Sequence, residues 1–437
     1  MLENTACARP VPNASCRWSR VGTLAALALV LGALVFGGAS FHARATGRGT
    51  DYNVFYLGGR LVAERPLALY EVPASRGANY TYLYPPVVAV LMWPLSLVPI
   101  RASALAWFLI NVACTAHSAL VLTRSLAPPG LAGVFLASTL VIGLPYTVEN
   151  IQLGQMHAVI LYLLVLSFAG LRGHRALVGG AWMALATAIK LLPGIFGPYL
   201  LVRRQWASLG AFALVLALVT AAVPALALGP DIAAALLGRY YRIQVEPYVS
   251  GEATQHRVYA RTALRKTPHD QDLGALLMRH FTAEHAVPGF GHFSLARVEL
   301  DALRRAMFAI FALVLAISAV AAWPRSGDAA AEPGLSDLLF AVFVVLSLLM
   351  SPRNRVAYWT VLTIPWAVLL ARVVDGRRPA GVRRLAGATL GASAALCALV
   401  AVPAGRALTL GAWAQVVLWV GLLALCRAER RAFLARP

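Results

Sequence analysis

The sequence predicts an all-α polytopic membrane protein, with about twelve transmembrane helices and two large extracytoplasmic loops. Its 437 residues are 59% hydrophobic and only 13% charged, about half the charged fraction of a typical soluble domain. The charged residues are confined to short tracts between apolar runs. Many of these runs approach the ~20 residues that a helix needs to cross a ~30 Å hydrocarbon core. Their continuous apolar character also excludes the alternating pattern of a transmembrane barrel.

The apolar runs give twelve predicted spans. These cover residues 21–41, 85–100, 102–122, 131–148, 155–171, 176–200, 207–228, 306–323, 336–350, 356–372, 386–402 and 408–426. The first run is longer than the apolar core of a secretory signal peptide, so we expect it to remain in the protein as a span. Runs 85–100, 131–148 and 336–350 are short or contain proline, which predicts tilted or partly re-entrant helices.

The arginines predict which way the spans face. The net charge is +20, and basic residues gather before the first span, in the tract 372–384 and in the tail 427–437. Positive residues are retained on the cytoplasmic side, which places the long loops 42–84 and 229–305 outside. The same bias explains the charge without a nucleic-acid partner. We expect one membrane-embedded domain, 1–437, in contact with the lipids of a cell membrane, and specifically of a bacterial plasma membrane.

The first loop begins with a candidate catalytic carboxylate. Asp51 follows the first span and precedes Tyr52 and Tyr56. Partial desolvation at a membrane boundary raises the pKa of a carboxyl toward neutrality, which suits a general base. The structural alternative is a helix N-cap, since Asp is common at helix starts. On the residue alone, the capping role is favoured.

Polar residues within or between apolar runs are further candidates. Asn150 and Gln155 lie between two runs, and Lys190 lies inside one. Amides and cations are costly in lipid unless they are buried in protein or face water, so each can mark a site. A capped turn and a snorkelling lysine are the alternatives. Arg353 and Arg355 lie on the predicted outer face against the general trend, where they can clamp a phosphate or pyrophosphate.

The remaining motifs point to helix boundaries rather than to cofactors. Tyr84 precedes Pro85 and Pro86, which are a start signal for the next helix, and it fits an interfacial aromatic belt. The histidines of the second loop lack metal-ligand spacing, so we predict no metal and no cofactor.

In series, these residues resemble glycosyltransferase family 87. Its members are membrane-embedded enzymes of the GT-C superfamily, related to polyprenyl-phosphate-mannose-dependent mannosyltransferases. The resemblance runs over about residues 50–360. It is carried by Asp51-Tyr52 with Tyr56, Leu69-Tyr70, Tyr82-x-Tyr84-Pro85-Pro86, Asn150-x-x-x-Gly154-Gln155, Ala188-Ile189-Lys190-x-x-Pro193, Arg203-Arg204-x-Trp206 and Ser351-Pro352.

The resemblance implies a GT-C fold whose outer loops cover a cavity at the membrane surface. It implies inverting transfer of a hexosyl group, specifically mannosyl, from a polyprenyl-phosphate sugar to a lipid or glycan acceptor. Asp51 carries over as the general base. The residues expected to bind substrate are Tyr52, Tyr56, Tyr84, Asn150, Gln155, Lys190, Arg353 and Arg355. The last three are expected to stabilise the departing lipid phosphate in place of a metal.

Two features depart from this interpretation. After Ser351-Pro352 the family tends to show a tryptophan and a histidine pair, whereas this chain continues Arg353-Asn354-Arg355 and lacks them. Their role is unfilled, or it passes to an arginine or a loop histidine. The twelve-span count also places Gly154-Gln155 on the inner face, away from Asp51. A re-entrant or missed segment between residues 131 and 200 would remove this conflict.

Two other functions fit a polytopic chain. A transporter or lipid flippase would show discontinuous helices near the midplane and symmetric halves. A non-catalytic assembly partner would need neither. The sequence favours the transferase.

Overall fold

The computed structural model describes residues 14–47, 49–71, 82–246, 269–282, 294–325 and 334–434. This part of the chain is helical and contains no β-strand, as predicted. The α-helices are α1 Ala14–Thr46, α2 Asp51–Glu64, α3 Pro86–Ser96, α4 Ile100–Leu126, α5 Ala132–Leu153, α6 His157–Arg172, α7 Ala176–Ile189, α8 Phe196–Val202, α9 Trp206–Ala217, α10 Val223–Leu228, α11 Pro230–Gln244, α12 Leu273–Phe281, α13 Leu300–Ala322, α14 Gly334–Leu349, α15 Thr363–Val374, α16 Ala380–Leu399, α17 Pro403–Ala407 and α18 Leu410–Leu434. Short 3-10 helices cover Pro66–Ala68, Leu192–Ile195 and Val356–Leu362, and a π-helical turn, Leu218–Ala222, joins α9 to α10.

Seven of the described helices are long and apolar enough to cross a membrane. They are Val21–Thr46, Ile100–Leu126, Ala132–Leu153, Trp206–Leu228, Arg305–Ala322, Val356–Val374 and Leu410–Ala432. The chain is therefore a multi-pass membrane protein by length and composition. The count of twelve is not confirmed. The other predicted spans fall on shorter apolar helices or on α16.

The predicted span 85–100 is built differently from the prediction. Its helix, α3, has 11 residues, which rise about 16 Å, or half of the hydrocarbon core. It packs along α2 so closely that a Cβ on Gly59 would lie 2.7 Å from the carbonyl oxygen of Met92. At its end, the hydroxyl of Tyr56 donates to the carbonyl of Val98 at 3.0 Å. We conclude that α3 lies beside α2 and does not cross.

The predicted span 176–200 is interrupted in its middle. Helix α7 ends before Lys190, whose backbone is extended, with φ −149° and ψ 128°. The chain then continues through a 3-10 turn, with Pro193 in its first positions, into α8. Irregular backbone at membrane depth is tolerated only where it is buried in protein or lines a cavity.

The residues that flank this interrupted segment on either side both contact the same end of α14. Arg203, just after α8, donates to the hydroxyl of Ser336 at 3.3 Å. Arg172, which ends α6 shortly before α7 begins, pairs with Asp337, the next residue along α14. The segment is therefore a re-entrant hairpin with Lys190 near its tip.

The hairpin is packed into the protein core. Helix α14 is buried along nearly its whole length. Its Phe340 lies against Phe196 of α8, with ring centroids 4.7 Å apart. Its Phe343 lies against Tyr199, also of α8, at 4.9 Å. Protein side chains thus cover the descending arm of the hairpin.

These corrections decide on which side the turn Gly154–Gln155 lies. Because α3 does not cross, only α4 and α5 cross between Asp51 and the turn, so the turn returns to the Asp51 side. The sequence predicted that the segment responsible for this change would lie between residues 131 and 200. The segment that places the turn on the Asp51 side is instead α3, because it does not cross. Removing these two crossings from the twelve predicted leaves an even number, so both termini stay on one side in the prediction.

The side of the bundle opposite Asp51 carries a cluster of ion pairs, here called the basic end. Asp337 pairs with Arg172 and lies 4.0 Å from Arg372. Glu429 accepts from Arg372 at 3.2 Å and also pairs with Arg378. Removing one partner of a buried ion pair costs about 3–5 kcal/mol, because a buried charge is left unpaired. The cluster therefore ties α6, α14, α15 and α18 together.

Candidate active site

Asp51 is held by a hydrogen bond from the turn after α5. Gln155 donates through Nε2 to Oδ2 of Asp51. The hydroxyl of Tyr84 in turn donates to Oε1 of Gln155 at 3.2 Å. Three segments that are distant in sequence therefore meet at one carboxylate, and three of the predicted site residues are in contact.

Asp51 does not cap its own helix. Thr50 is the N-cap of α2, and its backbone N–H donates to Oδ1 of Asn53 at 2.6 Å. Asp51 is the first helical residue, and its side chain points to Gln155 instead. The capping role that the sequence alone favoured for Asp51 belongs to Thr50.

The environment of Asp51 suits a proton acceptor. Burial raises the pKa of this carboxyl above its ordinary value. The hydrogen bond from Gln155 and the positive charges of Arg355 and Lys190 act in the opposite direction without cancelling the rise. A raised pKa makes a carboxylate a stronger base.

Gly154 allows the turn to approach α2 closely. It ends α5 in the left-handed region, with φ +66°, where glycine is favoured. A Cβ at this position would lie 2.5 Å from Cβ of Tyr52 and 2.7 Å from the ring of Phe41. The indole N–H of Trp107 donates to the carbonyl of Gly154 at 3.1 Å. Gln155 is thereby brought within reach of Asp51.

Tyr52 and Asn150, which were predicted to bind substrate, are fully buried. The hydroxyl of Tyr52 pairs with Ser103. The amide of Asn150 donates to Asn111 at 2.9 Å and accepts from the backbone N–H of His157 at 3.0 Å. Their contact with substrate stays a prediction, and in the structure they brace the turn that carries Gln155.

Lys190 projects from the hairpin tip toward two rings. Its Nζ lies 3.0 Å from Nε2 of His157 and 3.2 Å from the ring centroid of Tyr358. The two rings are stacked, with centroids 4.0 Å apart. Because the charge of Lys190 acts on Asp51, the ammonium belongs to the same site as the carboxylate.

Arg355 links the site to the second predicted outer loop. Its Nε lies 3.7 Å from Oδ1 of the fully buried Asp270. The backbone N–H of Gln271 donates to the carbonyl of Asn354 at 2.7 Å, which fixes this segment beside the arginine. Partial desolvation and the positive charges of Arg406 and Arg355 lower the pKa of His269, which remains largely exposed to solvent. A histidine from the second loop therefore lies near Arg355.

Arg353 is half-buried on the same turn, where Oγ of Ser351 pairs with its carbonyl. Tyr56 is half-buried on α2, and its hydroxyl donates a hydrogen bond to the carbonyl oxygen of Val98. Among the described residues, no group of three or more His, Cys, Asp or Glu is arranged to hold a metal ion. The positive charge that acts on Asp51 comes from Arg355 and Lys190.

Comparison with known protein families assigns the chain to one of them. The model of glycosyltransferase family 87 matches residues 82–352, more than half of the chain. The chain belongs to glycosyltransferase family 87. It is therefore a membrane glycosyltransferase, which uses a sugar donor and an acceptor. Gln155 and Lys190 lie inside the matched region, Asp51 before it and Arg355 after it. No curated protein matches the chain.

The sequence did not single out two residues of this candidate site, His157 and Tyr358. His157 closes the polar stretch that begins at Asn150, so its place in that stretch was a usable signal. Tyr358 lies three residues after Arg353-Asn354-Arg355, where the family pattern is lost. The structure stacks an imidazole from α6 against that tyrosine, a contact between residues about 200 positions apart that no local pattern reveals.

Proposed function

We propose that this chain is an inverting hexosyltransferase that takes its sugar from a polyprenyl-phosphate donor. The acceptor is a lipid or glycan, and the reaction occurs at the outer face of a cell membrane, specifically a bacterial plasma membrane. The observation that carries the proposal is the position of Asp51. A half-buried carboxylate, held by Gln155, shares one site with the cations Lys190 and Arg355.

The chemistry follows from these three charges. The acceptor hydroxyl attacks the anomeric carbon while its proton passes to Asp51. The bond from the anomeric carbon to the phosphate oxygen breaks, and its electron pair stays on the oxygen. The polyprenyl phosphate then carries one more negative charge, which Lys190, Arg355 and the neighbouring Arg353 stabilise. Attack from the side opposite the leaving group inverts the anomeric centre.

A lipid-borne donor fits the placement of the site. Asp51 follows directly after α1, so a prenyl chain can remain in the bilayer while its phosphosugar reaches the carboxylate. The basic end lies on the other side of the bundle, and the positive-inside bias assigns that side to the cytoplasm. The mannosyl group is proposed from the family resemblance alone.

The direct test is transfer by the purified chain in detergent. Decaprenyl-phosphate mannose, decaprenyl-phosphate glucose and GDP-mannose would each be supplied with extracted membrane lipids. We expect a glycosylated product only from the lipid-phosphate donors, with the opposite anomeric configuration to the donor. Transfer from GDP-mannose alone would contradict the proposed donor class.

One observation favours the transporter alternative. The re-entrant hairpin around Lys190 is an interrupted helix of the kind that transporters use near the midplane. Flux of a labelled lipid-phosphate sugar across proteoliposomes, in the absence of acceptor, would support that alternative. Family 87 membership favours the transferase.

A further inference from the structure

Lysine is almost absent from this chain. Of its 38 lysine and arginine residues, only Lys190 and Lys266 are lysines. All the cations of the basic end are arginines, and so is the second cation near Asp51, Arg355. The two side chains differ in shape, because arginine ends in a planar fork and lysine in a compact ammonium on a flexible stem. A lysine near the hairpin tip suggests that this position requires the compact group.

Two rings fix the position of that ammonium. Nζ of Lys190 lies 3.0 Å from Nε2 of His157 and 3.2 Å from the ring centroid of Tyr358. These distances correspond to a hydrogen bond and a cation–π contact. His157 and Tyr358 are here called the aromatic cradle. The guanidinium of an arginine is broader and planar, so it is less suited than an ammonium to the space between the two rings.

The cradle also defines the protonation of His157. An ammonium only donates hydrogen bonds, so Nε2 must accept, and the ring carries its proton on Nδ1. That Nδ1 is buried and has no hydrogen-bond partner in the structure. The side chain of His157 therefore makes its hydrogen bond through Nε2, which accepts from the ammonium of Lys190.

We infer that His157 and Tyr358 are positioning residues, which hold Lys190 so that it stabilises the leaving phosphate of the donor. This inference rests on the proposed function. When the bond to the anomeric carbon breaks, the phosphodiester monoanion becomes a monoester dianion. The ammonium of Lys190 has three N–H donors, and the cradle takes one of them as a hydrogen bond. The others remain for the oxygen on which charge develops, so the cradle acts mainly in the transition state.

Two matched pairs of variants test the cradle. His157→Gln keeps a hydrogen-bond acceptor, whereas His157→Leu removes it. Tyr358→Phe keeps the ring face, whereas Tyr358→Leu removes it. With decaprenyl-phosphate mannose as donor, we expect kcat to fall about 10- to 100-fold in both leucine variants, because the ammonium is misplaced. Both conservative variants should stay within about threefold of the wild type, and KM for the donor should change little.

A magnetic-resonance measurement tests the same contact without activity. Growth on lysine labelled with ¹³C at Cε labels the two lysines without changing their size or charge. A Lys266→Arg background leaves one lysine signal. A cation over the face of Tyr358 should give Cε methylene resonances displaced by the ring current. We expect Tyr358→Phe to keep this displacement and Tyr358→Leu to abolish it.

The outcomes separate the two proposals. If the wild type transfers no sugar from lipid-phosphate donors but its lysine signal shows the displacement, the proposed function fails and the cradle stands. If His157→Gln is as impaired as His157→Leu, or if both leucine variants keep a normal kcat, the positioning role is overturned. A lysine signal that Tyr358→Leu leaves unchanged would also overturn it. Lys190→Arg should be as impaired as Lys190→Met, and a fully active Lys190→Arg would contradict the need for an ammonium.

Discussion

Gln155 donates a hydrogen bond to Asp51, which joins the turn after α5 to the first residue of α2. This bond brings together two polar segments that the sequence placed on opposite faces of the membrane. It requires that α3 does not cross and that α5 ends on the Asp51 side. The predictions below follow from this connection.

The first prediction concerns Gln155 itself. Gln155→Leu removes the donor to Asp51, and Tyr84→Phe removes the hydroxyl that bonds to Oε1 of Gln155. We expect kcat/KM to fall about tenfold or more in the first variant, since the base is no longer oriented. The second variant should show a smaller loss because only the orientation of Gln155 suffers. Equal activity of both variants and the wild type would remove Gln155 from the site.

The second prediction concerns pH. A general base must be deprotonated, so activity should fall as the pH drops through the raised pKa of Asp51. Arg355→Gln removes a charge that lowers this pKa and should move the acidic limb of the pH–kcat/KM profile to higher pH. Arg101→Gln, at an exposed arginine on α4, is the charge-matched control and should leave the limb in place. A limb that Arg355→Gln does not move would show that another group titrates.

The third prediction concerns Gly154. Gly154→Ala places a Cβ against Tyr52 and forces alanine into the left-handed region. Gly130→Ala meets the same backbone strain, at φ +81°, but nothing lies within 4 Å of its Cβ. Gly130→Ala should cost about 1–2 kcal/mol, and Gly154→Ala should cost clearly more. Thermal unfolding in detergent measures the difference, and equal losses would mean that the close approach relaxes freely.

The fourth prediction concerns the re-entrant hairpin. Single cysteines at Arg175 and Ala207 flank it, and one at Ala235 lies on α11. In a chain whose five natural cysteines are replaced by alanine, an impermeant thiol reagent should label Ala235→Cys in intact cells. Both flanking cysteines should react only after the membrane is permeabilised. Opposite behaviour of the two flanking cysteines would restore a single crossing at 176–200.

Hydropathy predicted the class of the fold because apolar length is a local property. The sequence marked 85–100 only as short and partly re-entrant and gave 176–200 as a single span, so it did not reveal that neither segment crosses. Part of the run 85–100 is apolar because it packs against α2, and residues that pack on protein have the same composition as residues that face lipid. The break at Lys190 lies within an apolar run, so only the backbone reveals it.

The candidate site was predicted unevenly for a similar reason. Asp51, Gln155 and Lys190 are polar residues in apolar surroundings, and this local contrast identified them. Tyr52 and Asn150 share that contrast, but their polar atoms are engaged inside the protein. Sequence shows that a polar group needs a partner. It does not show whether the partner is substrate or protein.

The central claim is that Asp51 is the general base, and Asp51→Asn tests it most directly. The change keeps the shape of the side chain but removes its ability to accept a proton, and Thr50 still caps α2. The measurement is the rate of sugar transfer from decaprenyl-phosphate mannose by the folded variant. We predict a loss of about 10²- to 10⁴-fold, the usual contribution of general base catalysis, with an unchanged melting temperature. A folded Asp51→Asn protein that transfers sugar at nearly the wild-type rate would contradict the account.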